Sequence, residues 1–229
     1  DRDSDIASGQ AAGCRTIPAS GLVHAVAAGA AAILKPAPQA RAVAAALVAH
    51  LQSAGAPEGL VQLACTPDDE VGQYLITHPD VELVMLTGGY ETAELFTGWR
   101  PDLRLLGETS GKNSLVITQA ADIDLAIKDL VRSAFGHAGQ KCSAASLAII
   151  EAPVYDDPTF HARLGDAVSS LRVGSAVEPA TMMGPLIEEP GDKLLRGLTQ
   201  LEPGESWLVK PSRLDHDANI WSPGVRAGV

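Results

Sequence analysis

Over its first 106 residues this chain alternates short apolar strands with helix-forming segments, and few folds accommodate that order. Ala32-Ile33-Leu34-Lys35 reads as a strand ended by Pro36 and Pro38. Residues 39–54 place Val43, Leu47 and Leu51 at helical spacing, and Gly55 stops them. Leu60 to Ala64 reads as a second strand. Thr66-Pro67-Asp68-Asp69 then opens a helix, with Thr66 as N-cap and Asp69 closing a capping box. Val81 to Leu86 is a third strand, Thr87-Gly88-Gly89 turns it into a helix near 91–98, and Leu103 to Leu106 is a fourth. Strands separated by helices predict a parallel sheet with crossover helices, because parallel neighbours need a long connection.

After Gly107 the pattern changes. Ser114 to Thr118 is a strand, Asp122 caps a helix carrying Leu125, Leu130, Val131 and Ala134, and Leu147 to Ile150 is a strand again. Asp157-Pro158 starts a helix to about Leu171, and a short helix lies near 192–201 within a loop-rich tail. The fold class is therefore α/β in two lobes joined near Gly107. Residues 1–16 read as irregular or disordered, and residues 21–31 as an alanine-rich helix.

Composition narrows the function classes. A net charge of -11 without any basic block argues against nucleic acid. The apolar run Leu22 to Leu34 is too short to cross a bilayer, which needs about 20 apolar residues, so no membrane partner is expected. Cys14, Cys65 and Cys142 are odd in number and far apart, which points to a reducing, cytoplasmic setting rather than a disulfide framework. No spacing of Cys or His suggests a metal.

Two glycine-punctuated runs carry the chemistry. Phe135 to Ser146 contains Gly139-Gln140-Lys141-Cys142-Ser143, in which nearby glycines leave a backbone free to turn sharply beside a thiol. A nucleophile and a buried structural thiol both fit Cys142 on spacing alone. Glu108 follows Gly107 at a strand's carboxyl end, where ligand sites of α/β sheets form; its alternatives are a loop carboxylate and a helix cap. Lys35 ends a strand and can reach a ribose hydroxyl or phosphate, or stand as an ordinary surface charge. Thr87-Gly88-Gly89 offers backbone N–H groups and a helix amino end to a phosphate. A phosphate-binding P-loop over Gly107 to Asn113 fails on spacing, since three residues separate Gly107 from Gly111 and Asn113 stands where a hydroxyl should bind magnesium. His137, close to a helix end, reads as structural.

Taken in order, Lys35-Pro36, Thr87-Gly88, Leu106-Gly107-Glu108-Thr109-Ser110-Gly111-Lys112-Asn113, Gly139-Gln140-Lys141-Cys142, Leu171-Arg172-Val173-Gly174 and Thr181-Met182-Met183-Gly184-Pro185-Leu186 resemble the aldehyde dehydrogenase superfamily. The wording around Cys142 is most similar to the branch that oxidises glutamate semialdehyde, the open form of pyrroline-5-carboxylate, in proline catabolism. That branch includes the dehydrogenase part of bifunctional proline-utilisation proteins.

The resemblance implies a partial Rossmann-like cofactor domain over 17–107 and part of an α/β catalytic domain over 108–229. It implies that Cys142 attacks an aldehyde, that Glu108 activates the hydrolytic water and that Ser143 helps hold the substrate carboxylate. Lys35 and Pro36 would lie at the adenosine ribose, and Thr87, Gly88, Gly89 and Gly107 along the dinucleotide. The Cys142 N–H would help bind the oxyanion. The implied cofactor is NAD. NADP stays open, since Pro38 stands where NAD-preferring members often carry a carboxylate. Residues 5–20 lack the family's Trp-Asn pair, and its Glu-x-Phe-Gly-Pro segment would follow residue 229. The resemblance therefore implies part of a larger parent chain or a homo-oligomeric enzyme. The alternatives are a truncated, inactive remnant or interaction module, and a cysteine acyltransferase.

Overall fold

The computed structural model describes residues 30–216 and 219–229. The chain divides into two compact units after Gly111. The expectations for residues 1–16, for Cys14 and for the missing Trp-Asn pair lie outside the described residues. So does the helix expected over 21–31, except for Ala30 and Ala31, which are irregular.

The first unit holds two strand–helix–strand repeats. β1 (Ala32–Leu34) runs into buried Pro36 and Ala37 and a 3-10 turn, Pro38–Ala40, before α1 (Arg41–Ser53). The helix ends at Gly55, whose φ of +98° is a conformation that glycine adopts without a Cβ penalty. β2 (Val61–Leu63) then pairs parallel with β1, Ala32 opposite Val61 and Leu34 opposite Leu63. Ala44 and Val48 of α1 cover Leu34 and Val61 in one small core.

α2 (Glu70–Thr77) is capped by Asp69, whose carboxylate accepts from the Val71 and Gly72 N–H groups. This corrects the expected cap, Thr66, whose hydroxyl instead donates to the Pro67 carbonyl. The residues before Asp69 fold back over the first turn, and the lack of a side chain at Gly72 permits that approach, since a Cβ there would meet the Pro67 carbonyl at 2.2 Å.

β3 (Val84–Thr87) and β4 (Leu105–Glu108) pair in parallel around α3 (Tyr90–Trp99). Both strands start later than expected, because residues 81–83 are irregular and Leu103 packs from a turn. Ile76, Leu86, Phe96 and Leu103 form the second core. Phe96 stacks on Trp99 at 5.4 Å between ring centroids. Burying a ring of that size stabilises by about 1.5–3 kcal/mol.

The second unit opens with β5 (Asn113–Ile117), α4 (Ile123–Phe135) and β6 (Ala145–Ile150), again a parallel pair around a helix. Asp122 caps α4 by accepting from Asp124 and Leu125 N–H, as expected. A four-residue helix, α5 (Ala152–Tyr155), leads to α6 (Pro158–Ser169), which starts at Asp157-Pro158 as expected and is capped by Asp157. Ile117, Ile127, Leu130, Val131, Phe160, Leu164 and Val168 make its core. The opposite face of β5–β6 is also apolar, with Val116, Leu147 and Ile149 exposed.

The tail is less irregular than expected. After α7 (Asp192–Thr199), β7 (Ser206–Val209) pairs antiparallel with β10 (Val225–Ala227). Between them β8 (Arg213–Asp215) pairs antiparallel with β9 (Ile220–Trp221). Among the described residues no helix is long and apolar enough to cross a membrane.

Candidate active site

In the first unit, the parallel register of β3 and β4 brings two candidate runs together. Leu86 lies opposite Gly107 and Thr87 opposite Glu108, and the Gly88 N–H donates to the Glu108 carbonyl at 3.1 Å. Thr87-Gly88 and Gly107-Glu108 therefore share one carboxyl edge, where an α/β sheet presents ligands. Glu108 closes β4 rather than following it, and its side chain is exposed.

Gly89 is the N-cap of α3, with extended backbone angles. It contributes no side chain over the helix amino end, where the helix dipole favours an anion; the carboxylate of exposed Glu91 lies there, its Oε2 3.0 Å from where a Gly89 Cβ would stand. At Gly107 an added Cβ would be in ordinary contact with Thr109 Cγ2, at 3.6 Å. A glycine-lined strand edge next to a ten-residue helix amino end suits a pyrophosphate. Thr87, Gly88, Gly89 and Gly107 are thus the residues that could hold a dinucleotide.

Lys35 sits on the carboxyl side of β1, at the equivalent edge of the β1–β2 pair. Its ammonium donates to the Asp68 carboxylate at 2.7 Å, and the two side chains are 18% and 26% exposed. An ammonium has three donors, so this ion pair leaves capacity for a ligand oxygen. Pro36, next in the chain, is buried.

In the second unit, the thiol-bearing turn joins α4 to β6. α4 gives way to a 3-10 segment, Gly136–Gly139, in which His137, Ala138 and Gly139 have φ of 54°, 55° and 70°. Consecutive left-handed residues are costly outside glycine and recur where function fixes the backbone. A Cβ on Gly139 would meet the Ala134 carbonyl at 2.9 Å. Cys142 follows, exposed, with Ser143 exposed beside it. That exposure excludes the buried structural thiol left open by spacing. His137 acts through its backbone, its carbonyl accepting from the Gln140 N–H and side chain.

Two side chains that sequence reasoning had not assigned hold this turn. Asn113, at the start of β5, donates from Nδ2 to the Cys142 carbonyl at 2.5 Å and to the Ala144 carbonyl at 3.2 Å. Gln140 donates from Nε2 to the Pro185 carbonyl at 3.2 Å and accepts at Oε1 from the Ile187 N–H at 2.9 Å. The Thr181 to Leu186 run is itself fixed on Leu171 to Gly174: Met182 and Met183 N–H donate to the Arg172 carbonyl, and Val173 bridges Met183. Asn113 and Gln140 both stood inside the quoted runs. Their bonds span 29 and 45 residues, a range that local spacing does not report. Among the described residues no cluster of His, Cys, Asp and Glu could hold a metal.

The arrangement supplies an exposed thiol on a rigid turn and, separately, an exposed carboxylate on a glycine-lined strand edge suited to a dinucleotide. The chemistry available to such groups is nucleophilic attack on a carbonyl and proton removal from water.

Comparison with known proteins bears on this. The family described as "Aldehyde dehydrogenase family" matches residues 15–210. The 1-pyrroline-5-carboxylate dehydrogenase of Bacillus subtilis (strain 168) is 37% identical over 181 residues, covering 76% of this chain and 35% of that protein. That of Geobacillus kaustophilus is 38% identical over 165 residues, covering 69% and 32%. Among solved structures, Proline Utilization A (PutA) from Corynebacterium freiburgense superposes with a TM-score of 0.86 at 52% identity. That match covers 92% of this chain and 22% of the other. The chain thus spans about a third of the length of these curated relatives.

Proposed function

The chain belongs to the aldehyde dehydrogenase family, and from that premise we propose that it carries the central part of an NAD(P)-dependent enzyme oxidising glutamate semialdehyde to glutamate. The observation that carries the proposal is the exposed Cys142 on a turn clamped by Asn113 and Gln140. Relatives named 1-pyrroline-5-carboxylate dehydrogenase support the substrate class. The likeness to PutA, of which this chain covers 22%, supports a larger parent polypeptide.

The Cys142 thiolate adds to the aldehyde carbon, forming a carbon–sulfur bond and a thiohemiacetal oxyanion. The backbone N–H of Cys142 stabilises that oxyanion; a preorganised donor of this kind contributes about 2.7–4 kcal/mol in a well-studied hydrolase. A nicotinamide dinucleotide, when bound, supplies the hydride acceptor. Loss of hydride leaves an acyl group on sulfur. Glu108 takes a proton from water as the water oxygen adds to the thioester carbonyl. The carbon–sulfur bond then breaks, releasing the carboxylic acid and the thiolate. Ser143 donates to the carboxylate at the far end of the substrate.

The residues divide accordingly. Residues 17–107 contribute cofactor contacts through Lys35, Pro36, Thr87, Gly88, Gly89 and Gly107, and residues 108–229 contribute the catalytic Cys142. Gly89 at the amino end of α3 supports the pyrophosphate contact.

The test is nicotinamide reduction, followed by absorbance, when the protein in its native polypeptide context meets glutamate semialdehyde and NAD+ or NADP+. Reduction that disappears in Cys142→Ala while dinucleotide binding persists is the expected result. Retained turnover in Cys142→Ala removes the nucleophile assignment. Binding without turnover in the wild type favours an inactive remnant.

A further inference from the structure

The carboxyl edge of β1–β2 carries opposite charges held together. Lys35 follows β1 directly, Asp68 lies in the segment after β2, and the two meet at 2.7 Å although 33 residues apart. We propose that Asp68 is a specificity-determining residue that selects a ribose diol, and hence NAD+, over a 2′-phosphorylated ribose. This rests on the reading of Lys35 as a cofactor contact.

The argument begins with donors and acceptors. In parallel nucleotide-binding sheets the ligand lies at the carboxyl ends of the strands, and an acidic residue beyond the second strand accepts from a ribose hydroxyl. A diol both donates and accepts. It can donate to the Asp68 carboxylate while accepting from one of the Lys35 N–H groups that remain after the ion pair. A phosphate monoester only accepts at neutral pH and carries about -1.5 to -2 charges. Lys35 alone would attract it. Lys35 neutralised by a carboxylate does not, and the carboxylate oxygens oppose the phosphate oxygens directly.

The carboxylate is also held in place. Asp68 lies between Pro67, whose carbonyl is pressed against Gly72, and Asp69, which caps α2 through two N–H groups. The same packing brings the Lys35 side chain to the first turn of α2, since a Cβ on Gly72 would meet Lys35 Cε at 3.9 Å. An acid on a fixed segment discriminates better than one that can swing away, because nothing has to be reordered on binding.

The experiment measures dissociation constants of NAD+ and NADP+ by calorimetry in the wild type, Asp68→Asn and Lys35→Met, at low and high salt. The wild type should bind NAD+ more tightly. Asp68→Asn, nearly isosteric, should narrow the preference by about tenfold, chiefly by tightening NADP+, and that gain should shrink as salt screens charge. Lys35→Met, which removes the ammonium paired with Asp68, should weaken NADP+ more than NAD+, and it serves if Asp68→Asn does not fold. An unchanged ratio in Asp68→Asn, or a wild-type preference for NADP+, overturns the assignment while leaving the dehydrogenase reading intact. Binding of neither dinucleotide by the wild type overturns both.

Discussion

The Asn113 carboxamide donates to the carbonyls of Cys142, at 2.5 Å, and Ala144, at 3.2 Å. One side chain at the head of β5 thereby spans the turn that presents the thiol, and the Ser146 hydroxyl returns a bond to the Asn113 carbonyl at 3.3 Å. The Cys142–Ala144 end of the turn is thus held from outside itself, by a residue of β5.

Replacing that carboxamide should therefore loosen the thiol before it unfolds the unit. Asn113→Ala removes two hydrogen bonds, one exposed and one part-buried, and should cost about 0.5–1.5 kcal/mol, read by urea unfolding. Alkylation of Cys142 by iodoacetamide should change relative to Cys65, an exposed cysteine of the first unit that serves as the internal reference. Equal changes at both thiols would mean that Asn113 has no local hold on Cys142.

Glu108 holds its neighbours through its backbone, since its carbonyl accepts from Gly88 N–H and its side chain is exposed. Glu108→Gln should leave the β3–β4 edge and the melting temperature unchanged. Pre-steady-state kinetics should still show a burst of nicotinamide reduction, followed by slow turnover as the thioester accumulates. General-base contributions are about 10²–10⁴-fold. Loss of the burst as well would assign Glu108 another task.

Ser143 is exposed next to Cys142 and lies outside the clamp. Ser143→Ala should raise KM for an acidic semialdehyde by roughly tenfold, the cost of one hydrogen bond to a charged group, while a neutral aldehyde of similar length is little affected. Equal losses for both substrates would count against carboxylate anchoring.

Acid sensitivity should centre elsewhere in the second unit. Arg213 grips Glu189 with two bonds, at 2.5 and 2.6 Å. These hydrogen bonds, outweighing the opposing effect of desolvation and aided by the charges of Arg213 and His216, hold the Glu189 carboxyl below its ordinary range. A lowered carboxylate pKa contributes stability above the unfolded-state value and loses it as pH falls through the folded-state value. Glu189→Gln should therefore lower the melting temperature slightly at neutral pH, with the difference closing in acid. Because Glu189 is exposed, salt should shrink the gap too. A gap that widens in acid would contradict this.

Short-range signals made much of the fold legible. Asp122 and Asp157 announce their helices because a cap bonds N–H groups two or three residues away. Pro36 and Pro38 end β1 for equally local reasons. The β–helix–β order carried the parallel pairing, and the glycine runs carried the candidate residues. Thr66 and Asp69 both suit a cap by residue type, and only the folded chain shows that it is the Asp69 carboxylate that accepts from the first N–H groups of α2. The antiparallel pairs β7–β10 and β8–β9 were not legible because no helix separates their strands, and it is strand–helix alternation that marks the equally short strands of the first unit.

By itself, then, the sequence determined the order of elements, the α/β class and which residues are chemically equipped: Cys142, Ser143, Glu108, Lys35 and the glycines at 88, 89 and 107. Those properties depend on residue type and on neighbours a few positions away. Tertiary structure alone decided that Asn113 and Gln140 clamp the thiol turn, that Asp68 neutralises Lys35 and that Thr87 stands opposite Glu108. Each of those contacts joins residues 21 to 47 positions apart. Hydrogen bonds and charges act over a few ångströms of space, and only packing sets which distant residues come that close.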